Sequence, residues 1–122
     1  MIIKSKIVDA PVYPKVWGSE TWLENNDKYC CKILSINKGY YCSLHYHKIK
    51  DEMFIVQYGE ILLKLGTPIS GQIINMRKGD YVRIIPYQVH QFTAIEDSAI
   101  LEVSTHHDED DSYRLEPSGK VS

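Results

Sequence analysis

Two histidines spaced by one residue, His45 and His47, and a carboxylate five residues on, Glu52, are the first groups in this 122-residue chain whose types and spacing could do chemistry. Side chains alternate faces along a strand, so positions i and i+2 share a face about 7 Å apart. Residues 48–51 can turn the chain, and a strand from Glu52 that paired antiparallel with the histidine strand would return the carboxylate to that face. His90 follows shortly after Pro86, on a later strand. A His-x-His pair alone fits a surface or a core as well as a site. Three imidazoles and one carboxylate converging inside a barrel fit one first-row divalent cation (Zn, Mn, Fe, Ni or Co), with positions left for water or substrate.

The elements that must position these groups read as strands. Short β-rich runs at 29–36, 40–47, 52–58, 61–65, 72–76, 81–85, 88–95 and 99–105 are separated by turn clusters such as Asn37-Lys38-Gly39, Gly59-Glu60, Gly66-Thr67-Pro68 and Glu96-Asp97-Ser98. Turn signals at roughly 8–12-residue intervals predict an all-β sandwich or barrel. Gly39 and Gly59 stand where hairpins need positive φ. Residues 19–24 fit a helical turn or a strand, and no stretch keeps a helical period for three turns. Phe54, Val56 and Phe92 share parity with the candidate ligands on their strands and would line an apolar cavity or fill the core.

Length allows one domain, and 43% hydrophobic with 25% charged residues is a globular mix. The three expected regions are an N-terminal edge strand and lead-in at 1–28, the barrel at 29–105, and a polar, solvated tail at 106–122 that opens His106-His107-Asp108-Glu109-Asp110-Asp111. A net charge of −2 lacks the basic footprint of nucleic-acid or anionic-membrane binding. No apolar run approaches the ~20 residues of a membrane span, and the start, Met1-Ile2-Ile3-Lys4, lacks a signal-peptide apolar region, so a cytoplasmic location is expected. Cys30, Cys31 and Cys42 then read as reduced thiols.

Written out, Gly39-x5-His45-x-His47-x4-Glu52-x6-Gly59 resembles the first motif of the cupin superfamily. Residues 79–90 resemble its second motif, with the glycine-to-histidine interval of eleven kept from Gly79 to His90. Departures lie in the second stretch. Ile85 stands where the family has proline (Pro86 follows at once), Tyr87 where it has a turn glycine, and Ala94 where it has asparagine. The resemblance implies an all-β, single-domain cupin double-stranded β-helix, or jelly-roll barrel, with His45, His47, Glu52 and His90 as ligands of one divalent metal.

Outside these motifs, Val16-Trp17-Gly18-Ser19, Tyr29-Cys30-Cys31-Lys32, Ser43-Leu44-His45 and the acidic run into Arg114 are similar to the C-terminal cupin domain of type II mannose-6-phosphate isomerases. That likeness spans residues 17–116, and His45 replaces a usual glutamine. It implies a sugar or sugar-phosphate isomerase or epimerase in which zinc is the favoured metal and stabilises an enediolate. Lys32 would be the base, and Arg114 would grip a phosphate through its planar fork. Tyr41, Tyr46 and Tyr58 would meet sugar hydroxyls, and Phe54 and Phe92 would flank a sugar-like substrate. The same donors suit an Fe- or Mn-dependent dioxygenase or decarboxylase, or a non-catalytic metal-containing sugar- or metabolite-binding cupin. A homodimer is expected, with residues 1–8 (Ile2, Ile3, Ile7) supplying an edge strand.

Overall fold

The computed structural model describes residues 1–67 and 69–122; Pro68, which closes the expected turn at 66–68, lies outside them. Its strands are β1 (Val12–Lys15), β2 (Gly18–Asn25), β3 (Cys30–Ile36), β4 (Tyr40–Tyr41), β5 (Leu44–Tyr46), β6 (Glu52–Tyr58), β7 (Glu60–Leu65), β8 (Gln72–Arg77), β9 (Tyr81–Ile84), β10 (His90–Ala94), β11 (Ser98–Ser104), β12 (Tyr113–Glu116) and β13 (Gly119–Lys120). Two short 3-10 turns, Ile7–Asp9 and Glu109–Asp111, are the only helical pieces among the described residues. No helix there is long and apolar enough to cross a membrane.

The strands form two antiparallel sheets. One runs β1-β2-β3-β11-β6-β9; the other runs β12-β5-β10-β4-β13, with β7 on the far side of β10 and β8 beyond it. Alternation decides what each strand buries. In β3 it sends Cys30, Lys32, Leu34 and Ile36 inward, and in β6 it sends Glu52, Phe54 and Val56 inward. Leu34, Ile36, Phe54, Val56, Ile61, Leu63, Phe92 and Ile100 form much of the core between the sheets. At the β6–β7 turn Gly59 has φ +88°, and a Cβ there would run into the Ser98 hydroxyl and the Asp97 carbonyl, so only glycine fits.

Four expectations change. The strand at 40–47 is broken at Cys42 and Ser43, where the Cys42 thiol and carbonyl accept hydrogen bonds from the Phe92 amide and the Gln91 side chain. Strand β6 does not pair with the histidine strand. It pairs with β11 and β9, so Glu52 reaches the histidines from the opposite sheet. Residues 1–8, expected to supply an edge strand, form none; the sheet edge is β1, and residues 19–24, open between a helical turn and a strand, lie in β2. The region 106–122 is no solvated tail. It folds back as β12 on β5 and β13 on β4, with His107 and Asp111 buried.

Candidate metal centre

Strand register assembles the histidines. His90 and His45 are direct cross-strand partners on β10 and β5, their ring centroids 4.4 Å apart. His47 lies one residue past the end of β5, its ring 5.1 Å from His45 and 5.8 Å from His90. One ring nitrogen of each lies within 4.8 Å of the other two. Glu52 completes the set from the facing sheet, with Oε1 3.5 Å from His47 Nε2 and Oε2 3.3 Å from His90 Nε2.

Every Nδ1 is engaged by a main-chain carbonyl, of Ser43 for His45 (2.8 Å), Asp111 for His47 (3.0 Å) and Gln88 for His90 (2.8 Å). A carbonyl only accepts, so each Nδ1 donates its hydrogen and each neutral ring keeps its lone pair on Nε2. Such outer hydrogen bonds fix the tautomer of metal-binding histidines. Burial lowers the His45 pKa to about 3, helped by His90 beside it, and burial lowers that of His47 as well. Burial would raise the Glu52 carboxyl, but a protonated His90 and the Lys50 ammonium would each hold it well below the usual carboxylate range. Glu52 Oε2 and His90 Nε2 are both buried without a hydrogen-bond partner. Two orphaned acceptors at this depth are costly, and a cation between them would satisfy both. Three imidazoles and a carboxylate thus fit a divalent metal.

A cavity of about 470 Å³ opens beside the quartet. Its apolar wall includes Trp17, Leu34, Phe54 and Phe92, and its charged wall holds Glu20, Lys32, Lys50 and Glu102. Lys32 is 2% exposed, with its Nζ 3.4 Å from Glu20 Oε1 and 4.1 Å from the centre of the Trp22 ring. The outward, solvated lysine that a barrel position allows is therefore not what forms. Lys50, also 2% exposed, sits 3.2 Å from Glu52, 2.7 Å from Glu102 and 2.9 Å from His107 Nδ1. Arg114 lines the rim and is paired with Glu109 at 3.2 Å.

The tyrosines fall elsewhere. Tyr41 is not a lining residue; its ring packs against Gly119 of β13. Tyr46 stacks outside between Tyr87 and Tyr113, and Tyr58 is exposed. Val56 is core rather than cavity wall. Sequence reasoning passed over Glu20, Lys50, Glu102, His107 and Asp111. Glu102 had a signal, since it shares parity with the buried Ser98, Ile100 and Ser104 of β11. Lys50 had none, because it lies in a loop.

No protein-family model and no curated protein matches this sequence. Solved structures do. Oxalate decarboxylase from Bacillus subtilis at pH 4.6 superposes with a TM-score of 0.76 and 16% identity over 89% of this chain. This chain spans 31% of that protein's length. KdgF from Halomonas sp. gives a TM-score of 0.67 and 17% identity, covering 75% of this chain and 81% of its own. At such identities the likeness is one of architecture. The chain has the cupin fold, a single all-β domain closed as a double-stranded β-helix around its histidine cluster.

Proposed function

We propose that this chain is a divalent-metal cupin that moves a proton between adjacent carbons of a small polyhydroxylated carbonyl compound, as a sugar isomerase or epimerase does. The observation that carries the reading is a buried lysine paired with a half-buried carboxylate, Lys32 and Glu20, facing the same cavity as His45, His47 and Glu52. His45, His47, His90 and Glu52 would hold the cation, which when bound supplies Lewis-acid polarisation of a carbonyl oxygen. Burial would raise the Glu20 carboxyl, but Lys32, the Trp22 N–H and Lys15 lower it, so it is in the unprotonated form that a general base requires. Lys32, expected as the base, becomes in this reading the partner that steadies that carboxylate, and it can hydrogen-bond a substrate oxygen. Phe54, Phe92 and Trp17 give the carbon skeleton an apolar bed and exclude water.

Zinc, manganese, iron, cobalt and nickel all suit three nitrogens and one oxygen, so metal analysis of protein purified without chelator names the ion. The deciding experiment incubates the loaded protein with an aldose and ketose panel in D₂O. Deuterium should enter at C1 or C2. Glu20→Gln and Lys32→Met should each lower kcat by about 10² or more with the metal still bound. No exchange with any member would sink the reading.

A decarboxylase or dioxygenase is the second reading, favoured by the likeness to oxalate decarboxylase, for which a solved structure describes Mn(II) centers (TM-score 0.74, 16% identity, 89% of this chain and 31% of that one). Release of CO₂ or uptake of O₂ would support it. Saturable binding without turnover would instead indicate a binding module. We also propose a homodimer, because Ile2 (94% exposed), Ile3 and Val8 are exposed in the segment that leads into β1, an edge strand of its sheet. Mass in solution checks this.

A further inference from the structure

Every basic side chain lining the cavity already has a carboxylate within ion-pair distance. Lys15 and Lys32 share Glu20 at 4.0 and 3.4 Å, Lys50 lies between Glu52 and Glu102, and Arg114 is held by Glu109. Among the side chains four cations face four anions, so away from the metal position the lining offers no unopposed positive charge. A phosphate dianion needs unopposed positive charge, bidentate arginine above all. Here it would have to displace a carboxylate that then remains beside it. Glu109 in particular stays ionised: burial would raise it, but His107 and Arg114 pull its pKa down to about 2.

A hydroxyl group asks for the opposite arrangement. It donates one hydrogen and accepts another, so a wall alternating ammonium and carboxylate meets it on both counts. Such a wall is what Glu20, Lys32, Glu102 and Lys50 present, and Trp17, Phe54 and Phe92 line the same cavity with aromatic surface that suits the C–H groups of a sugar ring. A cavity of about 470 Å³ is the size of small-molecule sites in general.

We infer that the ligand of this cavity is an uncharged polyhydroxylated compound, an unphosphorylated sugar rather than a sugar phosphate, and that the Glu109–Arg114 pair excludes the phosphate. The inference rests on the sugar-carbonyl reading above and narrows its substrate class. It also moves Arg114 from gripping a phosphate to being neutralised at the rim.

The test titrates the full chain, loaded with its metal, with mannose and fructose, with their 6-phosphates and with inorganic phosphate. Isothermal titration and the fluorescence of Trp17 and Trp22 report binding. The free sugar should bind about tenfold or more tighter than its ester, a difference of about 1.4 kcal/mol, and inorganic phosphate should not bind the chelator-treated chain. Glu109→Gln, which strips Arg114 of its carboxylate, should shift the ester-to-sugar affinity ratio about tenfold toward the ester; a ratio is insensitive to the fraction of protein folded. Arg114→Gln, which leaves the Glu109 carboxylate unopposed, should keep the free sugar ahead of its ester by the wild-type margin or more, which keeps the test decisive if Glu109→Gln does not fold. Tighter binding of the ester, lost in Arg114→Gln, overturns the inference and leaves the isomerase reading standing. Sugar binding without deuterium exchange does the reverse, and no binding by any sugar or ester removes both.

Discussion

At the scale of single residues, the centre is prepared for a cation by what surrounds its ligands. The Nδ1 hydrogen bonds leave three lone pairs aimed inward, while Glu52 is given a counter-charge by Lys50. Replacing both His47 and Glu52 by alanine should abolish stoichiometric metal uptake, read by metal analysis after dialysis. Lys50 permits a sharper test. Burial would lower its pKa, yet Glu102 and Glu52 hold it above the ordinary lysine value, so it remains an ammonium between two buried carboxylates. Removing one partner from such a cluster costs about 3–5 kcal/mol, because the remaining charge is left uncompensated. Lys50→Met should therefore melt well below the parent in chelator. Added divalent metal should raise its Tm by more than it raises the parent's, since a cation at Glu52 restores part of the lost compensation. Equal metal-induced shifts in both proteins would show that Lys50 does not neutralise the ligand carboxylate.

The element that sequence concealed is the C-terminal segment. Asp111 lies in its 3-10 turn, and its carboxylate accepts hydrogen bonds from the amides of Lys48, Ile49 and Lys50 at 2.9–3.2 Å while its carbonyl takes the His47 Nδ1 hydrogen. One residue thus shapes the loop between two ligands and orients one of them. Asp111→Ala should weaken metal affinity by about 10–100-fold, measured by chelator competition, with Asp111→Asn recovering part of the loss. The parity of β3, β6 and β11 made most strands and the inward face legible, because a half-buried strand writes its period into its side chains. Asp111 left no such mark. It acts on main-chain amides, and six polar residues from His106 to Asp111 look the same whether solvated or folded back. The partner of β6 was misjudged for a related reason, since alternation fixes which face a residue takes but not which sheet its strand joins. Tyr87 shows the converse. It replaces the turn glycine of the resembled motif yet keeps the positive φ, +72°, held by its amide on the His47 carbonyl and its ring stacked on Tyr46.

For the molecule as a whole, these buried neutral imidazoles make folding depend on pH, and the direction follows from proton counting. In the unfolded chain a histidine takes up a proton near pH 6.5, whereas folded His45 resists it down to about 3 and folded His47 is shifted the same way. Below pH 6.5 the unfolded state binds more protons, so stability is full above that value and drains away as pH falls toward 3. Glu109 adds to the loss at the acidic end, as its partners hold its pKa near 2 against 4.5 in the free carboxyl. The share of the buried histidines is on the order of a few kcal/mol, a large part of a small domain's stability, and solvent screening keeps that of the exposed Glu109 small. Urea midpoints of the metal-free protein should be flat from pH 8 to 7 and fall steadily from about 6.5 downward. His45→Gln cannot take up that proton in either state, so its midpoints should fall less steeply across the same window. A variant curve parallel to the parent's would place the pH dependence in groups other than the metal ligands.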